Sequence, residues 1–226
     1  RALRDFAYIA SHDLQEPLRM VGSYMNLLES EYGDELDEEA QEYVEFAADG
    51  AERMKALIDG LLQFSRVETR GDAMEPVDAD AVLSDAEQAL AMRIEEADAT
   101  IESASLPTVE ADRAQLSQVF QNLLSNAIEY AGEESPVIKV RSDERDDEVV
   151  FAVEDEGVGI PEDDQKDIFG IFERGADADG EGIGIGLAIS KRIVERHDGE
   201  MWVESERGDG TTIYFSLSRT PDESRG

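Results

Sequence analysis

The stretch Phe6-Ala-Tyr-Ile-Ala-Ser-His12-Asp13-Leu-Gln-Glu-Pro17-Leu18 places a histidine beside a carboxylate inside an amphipathic helical pattern. Apolar residues spaced alternately by four and three predict a helix that packs through one face. They are Leu3, Ala7, Ala10, Leu14, Pro17, Val21, Tyr24 and Leu28. His12 lies off this set, at an outward position where a reacting partner can reach it.

The same pattern resumes after a break at residues 33–34 and predicts a helical hairpin over residues 1–70. The first helix is predicted to end near Tyr32 and the second to begin at residues 37–38. The apolar positions of the second helix are Ala40, Tyr43, Ala47, Gly50, Met54, Leu57, Leu61 and Phe64. Two such helices leave one apolar face uncovered, so the pattern favours a homodimer in which two hairpins form a four-helix bundle. A plain coiled-coil spacer is the alternative.

The composition limits the class of protein. There is no cysteine and there are two histidines, which excludes disulfides and disfavours a dedicated zinc site. No apolar run is long enough to cross a bilayer and no signal peptide is visible, so we predict a cytoplasmic location and no membrane contact by this stretch of chain. Arg1 already lies within the helical pattern, and we interpret the chain as a fragment whose upstream part has been removed.

Acidic residues dominate the charge. Lys and Arg number 20 against 55 Asp and Glu, which gives a formal net charge of −35. This balance argues against nucleic-acid binding. The acids are spread throughout the chain, which favours a halophilic origin over an acidic surface for one basic partner. Such self-repulsion destabilises the folded state unless salt screens it.

The rest of the chain predicts a second module. The polar segment Thr69–Pro76 interrupts the heptads, and we place a hinge at 71–76, a second domain at 77–220 and a tail at 221–226. The predicted elements are helices at Ala79–Ala97 and Asp112–Tyr130 and strands near Thr100–Ser103, Thr108–Glu110, Val137–Ser142, Val149–Glu154, Met201–Ser205 and Thr211–Leu217. Long helices among mostly consecutive strands indicate an α+β sandwich with helices layered on one face of a sheet.

Two asparagines mark one of the predicted helices. Asn122 and Asn126 lie one turn apart and share a helix face. Neutral carboxamides can bind magnesium and phosphate oxygens, although paired asparagines on a helix are more often solvated or capping.

A strand followed by glycines forms the next motif, Glu154-Asp-Glu-Gly-Val-Gly-Ile-Pro161. The strand delivers Asp155 at its end, where the carboxylate can accept from an exocyclic amine such as that of adenine. Gly157 and Gly159 allow close approach of the backbone, and Pro161 is predicted to begin a helix.

A third motif, Gly180–Ala188, has glycines at every second position before a helix predicted to start near Gly184. Exposed amides at a helix start bind phosphates, and Gly182, Gly184 and Gly186 would let a lid close over them.

Two features lie near the C terminus. Gly208–Phe215 is a turn into a final strand and contains Thr211. His197 ends a predicted helix just before a strand, and we interpret it as a C-terminal cap instead of a catalytic residue.

The asparagine helix and the three glycine motifs follow the His12 helix in the order of the conserved boxes of sensor histidine kinases. These boxes are called H, N, G1, F, G2 and G3, and Ile168–Arg174 matches the F box. The chain resembles the catalytic core of these two-component kinases over nearly its whole length. The resemblance implies a dimerising phosphotransfer hairpin joined to an ATP-binding domain with the left-handed βαβ (Bergerat-type) fold of gyrase-like ATPases. The His12 motif looks most like that of phytochrome-like and PAS-linked kinases, and with the acidic composition it predicts a haloarchaeal source.

The resemblance also implies a reaction. His12 would take the γ-phosphoryl group of ATP while Asp13 orients or accepts the imidazole proton, and the group would pass to an aspartate of a response-regulator receiver domain. An upstream sensor domain would supply the signal. The residues expected at the ATP site are Asn122, Asn126, Tyr130, Asp155, Gly157, Gly159, Arg174, Gly182, Gly184, Gly186, Leu187 and Thr211. The expected cofactors are ATP and Mg²⁺, with Asn126 as metal ligand and Asp155 as adenine anchor.

Three positions depart from the family pattern. The family often has lysine before the tyrosine of the N box, where this chain has Glu129, so a phosphate cation is missing and Arg174 is the leading substitute. The segment between Gly175 and Gly182 is short, and its charged residues are all acidic. Kinases with phosphatase activity usually place threonine or asparagine four residues after the histidine, where this chain has Glu16.

Two other functions are open. A degenerate kinase could dimerise and signal by conformation alone, which Glu129 and the acidic segment favour. A hydrolysing ATPase of the same fold would carry a water-activating glutamate where this chain has Asn122, and an amide cannot accept a proton from water.

Overall fold

The computed structural model describes residues 2–67, 69, 71–132, 135–145, 147–172 and 184–219, with side chains from Leu14 onward. The chain divides into two compact units, 1–66 and 67–226. None of the described helices combines the length and the apolar content that spanning a bilayer requires.

The first unit is the predicted helical hairpin. Helix α1 (Ala2–Tyr32) and helix α2 (Glu38–Arg66) are joined by a 3₁₀ turn at Gly33–Glu35. Asp37 Oδ1 accepts from the Ala40 amide at 2.9 Å and so caps the start of α2. The predicted end of the first helix and start of the second are confirmed.

Many large apolar side chains of the hairpin remain exposed, as its heptad pattern predicts. Exposure reaches 64% at Tyr24 and at Tyr43 and 75% at Phe46. The other exposed large apolar residues of the hairpin are Leu14, Met20, Val21, Leu27, Leu28, Tyr32, Met54 and Leu61. Apolar surface of this kind is covered in most stable proteins by a further element or a second chain.

The second unit alternates helices and strands. In chain order these are β1 (Glu75–Asp78), α3 (Ala79–Ala89), α4 (Ala91–Glu96), β2 (Thr100–Ser103), β3 (Thr108–Ala111), α5 (Arg113–Glu129), β4 (Val137–Glu144), β5 (Glu148–Asp155), α6 (Gly186–Arg196), β6 (Met201–Glu206) and β7 (Gly210–Ser218). Five strands form one sheet in the order β2-β4-β5-β7-β6, in which only β2 and β4 are parallel. Strands β1 and β3 form a separate antiparallel pair.

Three phenylalanines fill the space between the large sheet and α5. Phe151 and Phe215 are partners across β5 and β7, and their rings stack at 4.9 Å between centroids. Phe120 of α5 meets both rings edge-on at 5.9 and 5.7 Å. All three side chains are fully buried. Residues adjacent to these in the strands, such as Tyr214, point to the opposite face, so the predicted layering of helices on one sheet face is confirmed.

One predicted helix is split in two. We predicted a single helix at Ala79–Ala97, but it is interrupted at Leu90 between α3 and α4. No glycine or proline marks this break. Beyond the break, Arg93 Nη1 of α4 donates to Ser125 Oγ on α5 at 2.5 Å.

Part of the predicted hinge belongs to a strand. Glu75 and Pro76, at the end of the 71–76 segment, lie in β1, where Val77 pairs with Val109 and is buried. The strand buries only this one of its four residues, so it has no periodicity that a sequence reading could detect. Proline is tolerated here because β1 is an edge strand.

The helix predicted to begin at Pro161 is absent, because residues 162–169 form successive turns. Asp164 and Gln165 donate to the Pro161 carbonyl at 3.0 and 3.2 Å. Ile168 is the only buried residue between Pro161 and Phe172, so no apolar face stabilises a helix. Farther on, α6 begins at Gly186, two residues later than predicted.

Candidate active site

Asp155 ends β5 with its carboxylate largely buried. Its Oδ1 accepts from the Gly157 amide at 2.9 Å, and the Thr211 amide donates to the same carboxylate. Burial raises the pKa of Asp155 to about 6, and the neighbouring Glu154 charge adds to this, while the two amide hydrogen bonds oppose it. At neutral pH the group is therefore an ionised acceptor in a protected position, suited to an amine donor.

The turn after Asp155 packs against the end of α5. The Val158 amide donates to the Tyr130 carbonyl at 3.1 Å, and a Cβ on Gly157 would overlap that same carbonyl. Gly159 has a φ of +69°, and a Cβ there would overlap the Glu206 carbonyl. Only glycine fits at these two positions. The structure thus brings together Asp155, Gly157, Gly159 and Tyr130, as the sequence predicts.

Thr211 is held beside Asp155 by its own side chain. It is the register partner of Asp155, and its Oγ1 lies 3.0 Å from Ser205 Oγ. Ser205 Oγ donates to the Gly210 carbonyl at 2.7 Å and accepts from the Ile160 amide at 2.7 Å. Because the hydroxyl proton of Ser205 is used at Gly210, Thr211 is the donor in their pair.

Asn122 joins α5 to the start of α6. Its Nδ2 donates to the Gly186 carbonyl at 3.1 Å and to Ser190 Oγ at 3.0 Å. Both amide protons therefore serve to position α6, and the remaining polar atom, Oδ1, is an acceptor. An acceptor can bind a metal ion but not a phosphate oxygen. Asn122 is therefore suited to a contact with a metal ion and not to one with phosphate.

Asn126 lies one turn after Asn122 and is half-buried. Its backbone carbonyl accepts a hydrogen bond from the Tyr130 amide at 2.9 Å. Among the described residues there is no cluster of three or more His, Asp or Glu that could hold a metal ion. Amide oxygens from Asn122 and Asn126 fit magnesium, which binds oxygen and commonly takes one or two protein ligands together with substrate phosphates.

The start of α6 is suited to an anion. Ile185 is the N-cap residue and has no side-chain acceptor, so the first amides of α6 receive no capping bond from it. The Gly184 carbonyl accepts from the Phe172 amide at 2.9 Å, and Gly184 has a φ of +71°. Gly184, Gly186 and Leu187 thus lie where the sequence predicts a phosphate-binding helix start.

Glu129 is already paired with a cation. Its carboxylate lies 3.9 Å from the Arg93 guanidinium and is 17% exposed. The chain thus lacks the expected phosphate-binding cation at this position, but Arg93 of α4 offsets the negative charge of Glu129. Lys191 of α6 lies over the Phe169 ring, with its Nζ 5.2 Å from the ring centre.

His197 has both ring nitrogens bound to backbone. The Asp112 amide donates to Nε2 at 2.9 Å, and Nδ1 lies 2.7 Å from the Ile193 carbonyl, to which it donates as the protonated nitrogen. Burial lowers its pKa. His197 caps the C terminus of α6 as a neutral residue, and the prediction of a cap is confirmed.

Some predicted site residues cannot be placed. Arg174 and Gly182 lie outside the described residues. His12 and Asp13 lie on α1, whose backbone is described there, but their side chains are outside the described set.

Sequence reasoning missed three side chains that shape the site. Ser205 and Gln165 fix the turn near Thr211, since Gln165 Nε2 donates to the Ser205 carbonyl at 2.7 Å and to the Ile160 carbonyl at 3.0 Å. The third is Ser190, whose Oγ accepts a hydrogen bond from Asn122 Nδ2. Ser205 could have been found by pairing β6 with β7 across the predicted turn, because it is the register partner of Thr211.

Two protein families match the chain, one in each unit. The His Kinase A (phospho-acceptor) domain matches residues 2–70, and the histidine kinase-, DNA gyrase B-, and HSP90-like ATPase family matches residues 111–221. The chain therefore combines a domain of the histidine kinase phospho-acceptor family with a domain of the histidine kinase-like ATPase family. The first match contains His12, and the second contains all the described residues expected at the nucleotide site.

The phytochrome-like protein Cph1 of Synechocystis sp. is a curated relative of this chain. It is 47% identical over 216 residues, which cover 95% of this chain and 29% of Cph1. The chain spans less than a third of the length of the cyanobacterial phytochromes that it matches.

Solved histidine kinase structures share the fold. Full-length ShkA, in complex with AMPPNP, aligns with a TM-score of 0.70 and 27% identity over 96% of this chain and 46% of ShkA. ThkA in complex with the response regulator TrrA aligns with a TM-score of 0.66 over 97% of this chain and 62% of ThkA, and at 23% identity it shows the fold alone. The predicted hairpin followed by an α/β ATPase domain is confirmed.

Proposed function

We propose that this chain binds ATP with Mg²⁺ and transfers the γ-phosphoryl group to His12, from which it passes to an aspartate on a response-regulator receiver domain. The observation that carries the proposal is the Asp155 carboxylate, fixed by the Gly157 and Thr211 amides at a strand end beside the C-terminal part of α5. A buried acceptor of fixed direction selects an amine such as that of adenine. The AMPPNP bound by ShkA is consistent with a nucleotide at this fold.

The phosphates would lie at the start of α6. Its first amides face them with the positive end of the helix dipole, and Asn122 holds this helix start in place through Gly186. Bound magnesium would neutralise phosphate charge, and the amide oxygens of Asn126 and Asn122 would be its protein ligands. Arg174 and Gly182 belong to the same proposed site, with Arg174 supplying a phosphate cation.

The nucleophile would be a ring nitrogen of His12. It forms a bond to the γ-phosphorus as the bond from that phosphorus to the bridging oxygen breaks and ADP leaves, while Asp13 accepts or orients the proton on the other nitrogen. Asn122 cannot take a proton from water, so ATP hydrolysis should be slow and the phosphoryl group should reach His12.

The partners follow from the two units. The exposed apolar face of the hairpin supports a homodimer through residues 1–70, and the ThkA–TrrA complex supports a receiver-domain partner. The phytochrome relatives support an upstream sensor domain. We propose a catalytic domain at 77–220 after the connecting segment 71–76, a cytoplasmic setting where ATP is available, and a halophilic, haloarchaeal source with PAS linkage.

Incubation with γ-labelled ATP and Mg²⁺ tests this function. The expected result is protein-bound label that is labile to acid and stable to base, as a phosphohistidine is, and label that moves to an added receiver domain. Free labelled phosphate without labelled protein would indicate a hydrolysing ATPase. Nucleotide-independent dimerisation without label would indicate a signalling scaffold, and the pairing of Glu129 with Arg93 removes part of the support for that alternative.

A further inference from the structure

The segment that leads into the second unit is bound at both ends by side chains of α5 and α6. Gln115 Nε2 donates to the Val67 carbonyl at 2.8 Å. Asp72 is held through both of its backbone groups, because its amide donates to Asp112 Oδ2 at 2.7 Å and its carbonyl accepts from Arg196 Nη2 at 2.7 Å. We call Asp112, Gln115 and Arg196 the linker clamp.

The three side chains of the linker clamp also bind one another. Arg196 Nη1 donates to Gln115 Oε1 at 2.7 Å and lies 3.3 Å from Asp112 Oδ2. Asp112 is 2% exposed, and its Oδ1 accepts from the Ala114 and Gln115 amides at the start of α5. Charge-assisted hydrogen bonds to a buried carboxylate are strong and fix geometry, so Asp112 anchors the linker clamp.

The bound segment is shaped to the linker clamp. A Cβ on Gly71 would overlap the Arg196 guanidinium, so the chain passes against Arg196 with no side chain between them. Any larger residue at position 71 would displace the guanidinium from Asp72.

The linker clamp lies at the opposite end of α5 and α6 from the nucleotide site. Asp112 and Gln115 are at the start of α5 and Arg196 is at the end of α6, whereas Asn126 and Gly186 are at the other ends of these helices. The 11 residues of α6 span about 16 Å. The linker clamp therefore acts on the connecting segment and not on bound nucleotide.

We infer that Arg196, together with Asp112 and Gln115, is a positioning residue for phosphoryl transfer to His12. Helix α2 ends at Arg66, and the next residue, Val67, is already bound to Gln115. The linker clamp thus limits the free length of chain that tethers the nucleotide-binding unit to the hairpin, and a shorter tether raises the effective concentration of ATP at its acceptor. The inference rests on the kinase function proposed above.

Amide hydrogen exchange tests the linker clamp independently of activity. In Arg196→Gln and in Gly71→Ala, protection of the Asp72 amide should fall by about tenfold or more, as expected for loss of a charge-assisted hydrogen bond. Arg192→Gln is the matched control, because Arg192 lies on the same helix, is only partly buried and pairs with Glu195 at 3.5 Å. It should leave the Asp72 amide protected.

Kinetics then test the positioning role. Arg196→Gln and Gly71→Ala should lower kcat for autophosphorylation severalfold without changing the ATP KM or the ATP Kd. Arg196→Lys, which keeps the charge but not the fork of donors, should restore part of kcat. Arg192→Gln should match the wild type.

Several results would overturn the inference. Unchanged exchange at Asp72 in both variants would show that the linker clamp does not hold the segment, and faster exchange with an unchanged kcat would remove its positioning role. A higher ATP KM in both variants would indicate general damage to the nucleotide unit. If Arg196→Gln does not fold, Gly71→Ala carries the test. Absence of label in the wild type would refute the kinase function itself, and exchange at Asp72 would still judge the linker clamp.

Discussion

The two units of this chain bury their apolar side chains to very different extents. In the hairpin, the heptad residues Val21, Tyr24 and Met54 remain exposed. In the second unit, Phe120 and Phe151 are completely buried between helix and sheet. One unit thus has a finished core, and the other has an apolar face that a second copy would complete.

This difference separates the roles of the two units. A nucleotide site needs side chains from several elements held within fractions of an ångström, which requires a complete core. An acceptor histidine needs only an accessible position on a helix. The comparison predicts that changes in one unit leave the chemistry of the other intact.

The largest effect should come from His12→Gln, which removes the acceptor from the hairpin only. Acid-labile label should be lost completely, because glutamine at position 12 cannot accept the phosphoryl group. The ATP Kd, measured by titration calorimetry, should stay within error of wild type, since no residue of the nucleotide unit has changed. Persistent acid-labile label would place the acceptor elsewhere in the chain.

Phe120→Ala should damage the second unit alone. Removing a fully buried ring that contacts Phe151 and Phe215 should cost about 3–5 kcal/mol of stability. In calorimetry the transition of the second unit should move to lower temperature. The hairpin transition should have the same melting temperature in the variant as in wild type. In both proteins this temperature should rise with protein concentration, as expected for a dimer.

A single transition that shifts as a whole would show that the two units unfold together. Met92→Ala is the control, because Met92 of the second unit is large but 74% exposed and should barely change either transition.

The contrast between the units also explains how far the sequence could be interpreted. The hairpin boundaries at Tyr32 and Glu38 follow from local heptads and a glycine, and the sequence predicts them well. The strand at Glu75–Asp78 depends on pairing with β3, which leaves no local pattern, and no glycine or proline marks the break at Leu90.

The site divides in the same way. Asp155 and its glycines were predictable because strand-end and glycine chemistry is local. The Asn122 contacts with Gly186 and Ser190 join residues more than 60 positions apart, so only the structure shows that this amide positions a helix. The linker clamp was missed for the same reason, since Asp72 and Arg196 are far apart in sequence.

A smaller effect is expected for Asp155→Asn, which removes the charge of the adenine acceptor and keeps its size. ATP should bind about 10- to 100-fold more weakly, as for loss of a hydrogen bond to a charged group. Wild-type affinity should fall as pH drops through about 6, the pKa of Asp155, because protonation removes the acceptor. The variant should lack this pH dependence.

The same substitution should affect stability in the opposite direction. Burial raises the pKa of Asp155 from 3.8 to about 6, so the folded state retains a proton that the unfolded chain releases, and ionisation costs stability as pH rises through this window. Asp155→Asn should therefore have a higher melting temperature than wild type at pH 8, with a free energy of unfolding larger by at most about 3 kcal/mol. At pH 4 the two proteins should melt at the same temperature. Glu156→Gln, at an exposed neighbour, is the control. Equal melting at pH 8 would show that the carboxylate is not strained by burial.

The smallest effect per interaction, spread over both units, concerns salt. Exposed attractive pairs such as Arg113 with Asp85 at 2.6 Å and Lys139 with Glu156 at 2.9 Å contribute little to stability, and salt weakens them. Against them stands the repulsion of a chain with a net charge of −35, which also opposes the approach of ATP.

Raising KCl to about 1 M shortens the Debye length to about 3 Å, which relieves this long-range repulsion more than it weakens close pairs. We therefore expect both calorimetric transitions and the autophosphorylation rate to rise from low to molar KCl, whereas sorbitol at equal osmolality, which does not screen charge, should have less effect. If the melting temperatures are flat or fall with KCl, or sorbitol matches KCl, then charge repulsion does not limit this protein and the proposed halophilic source is wrong, while the kinase function stands.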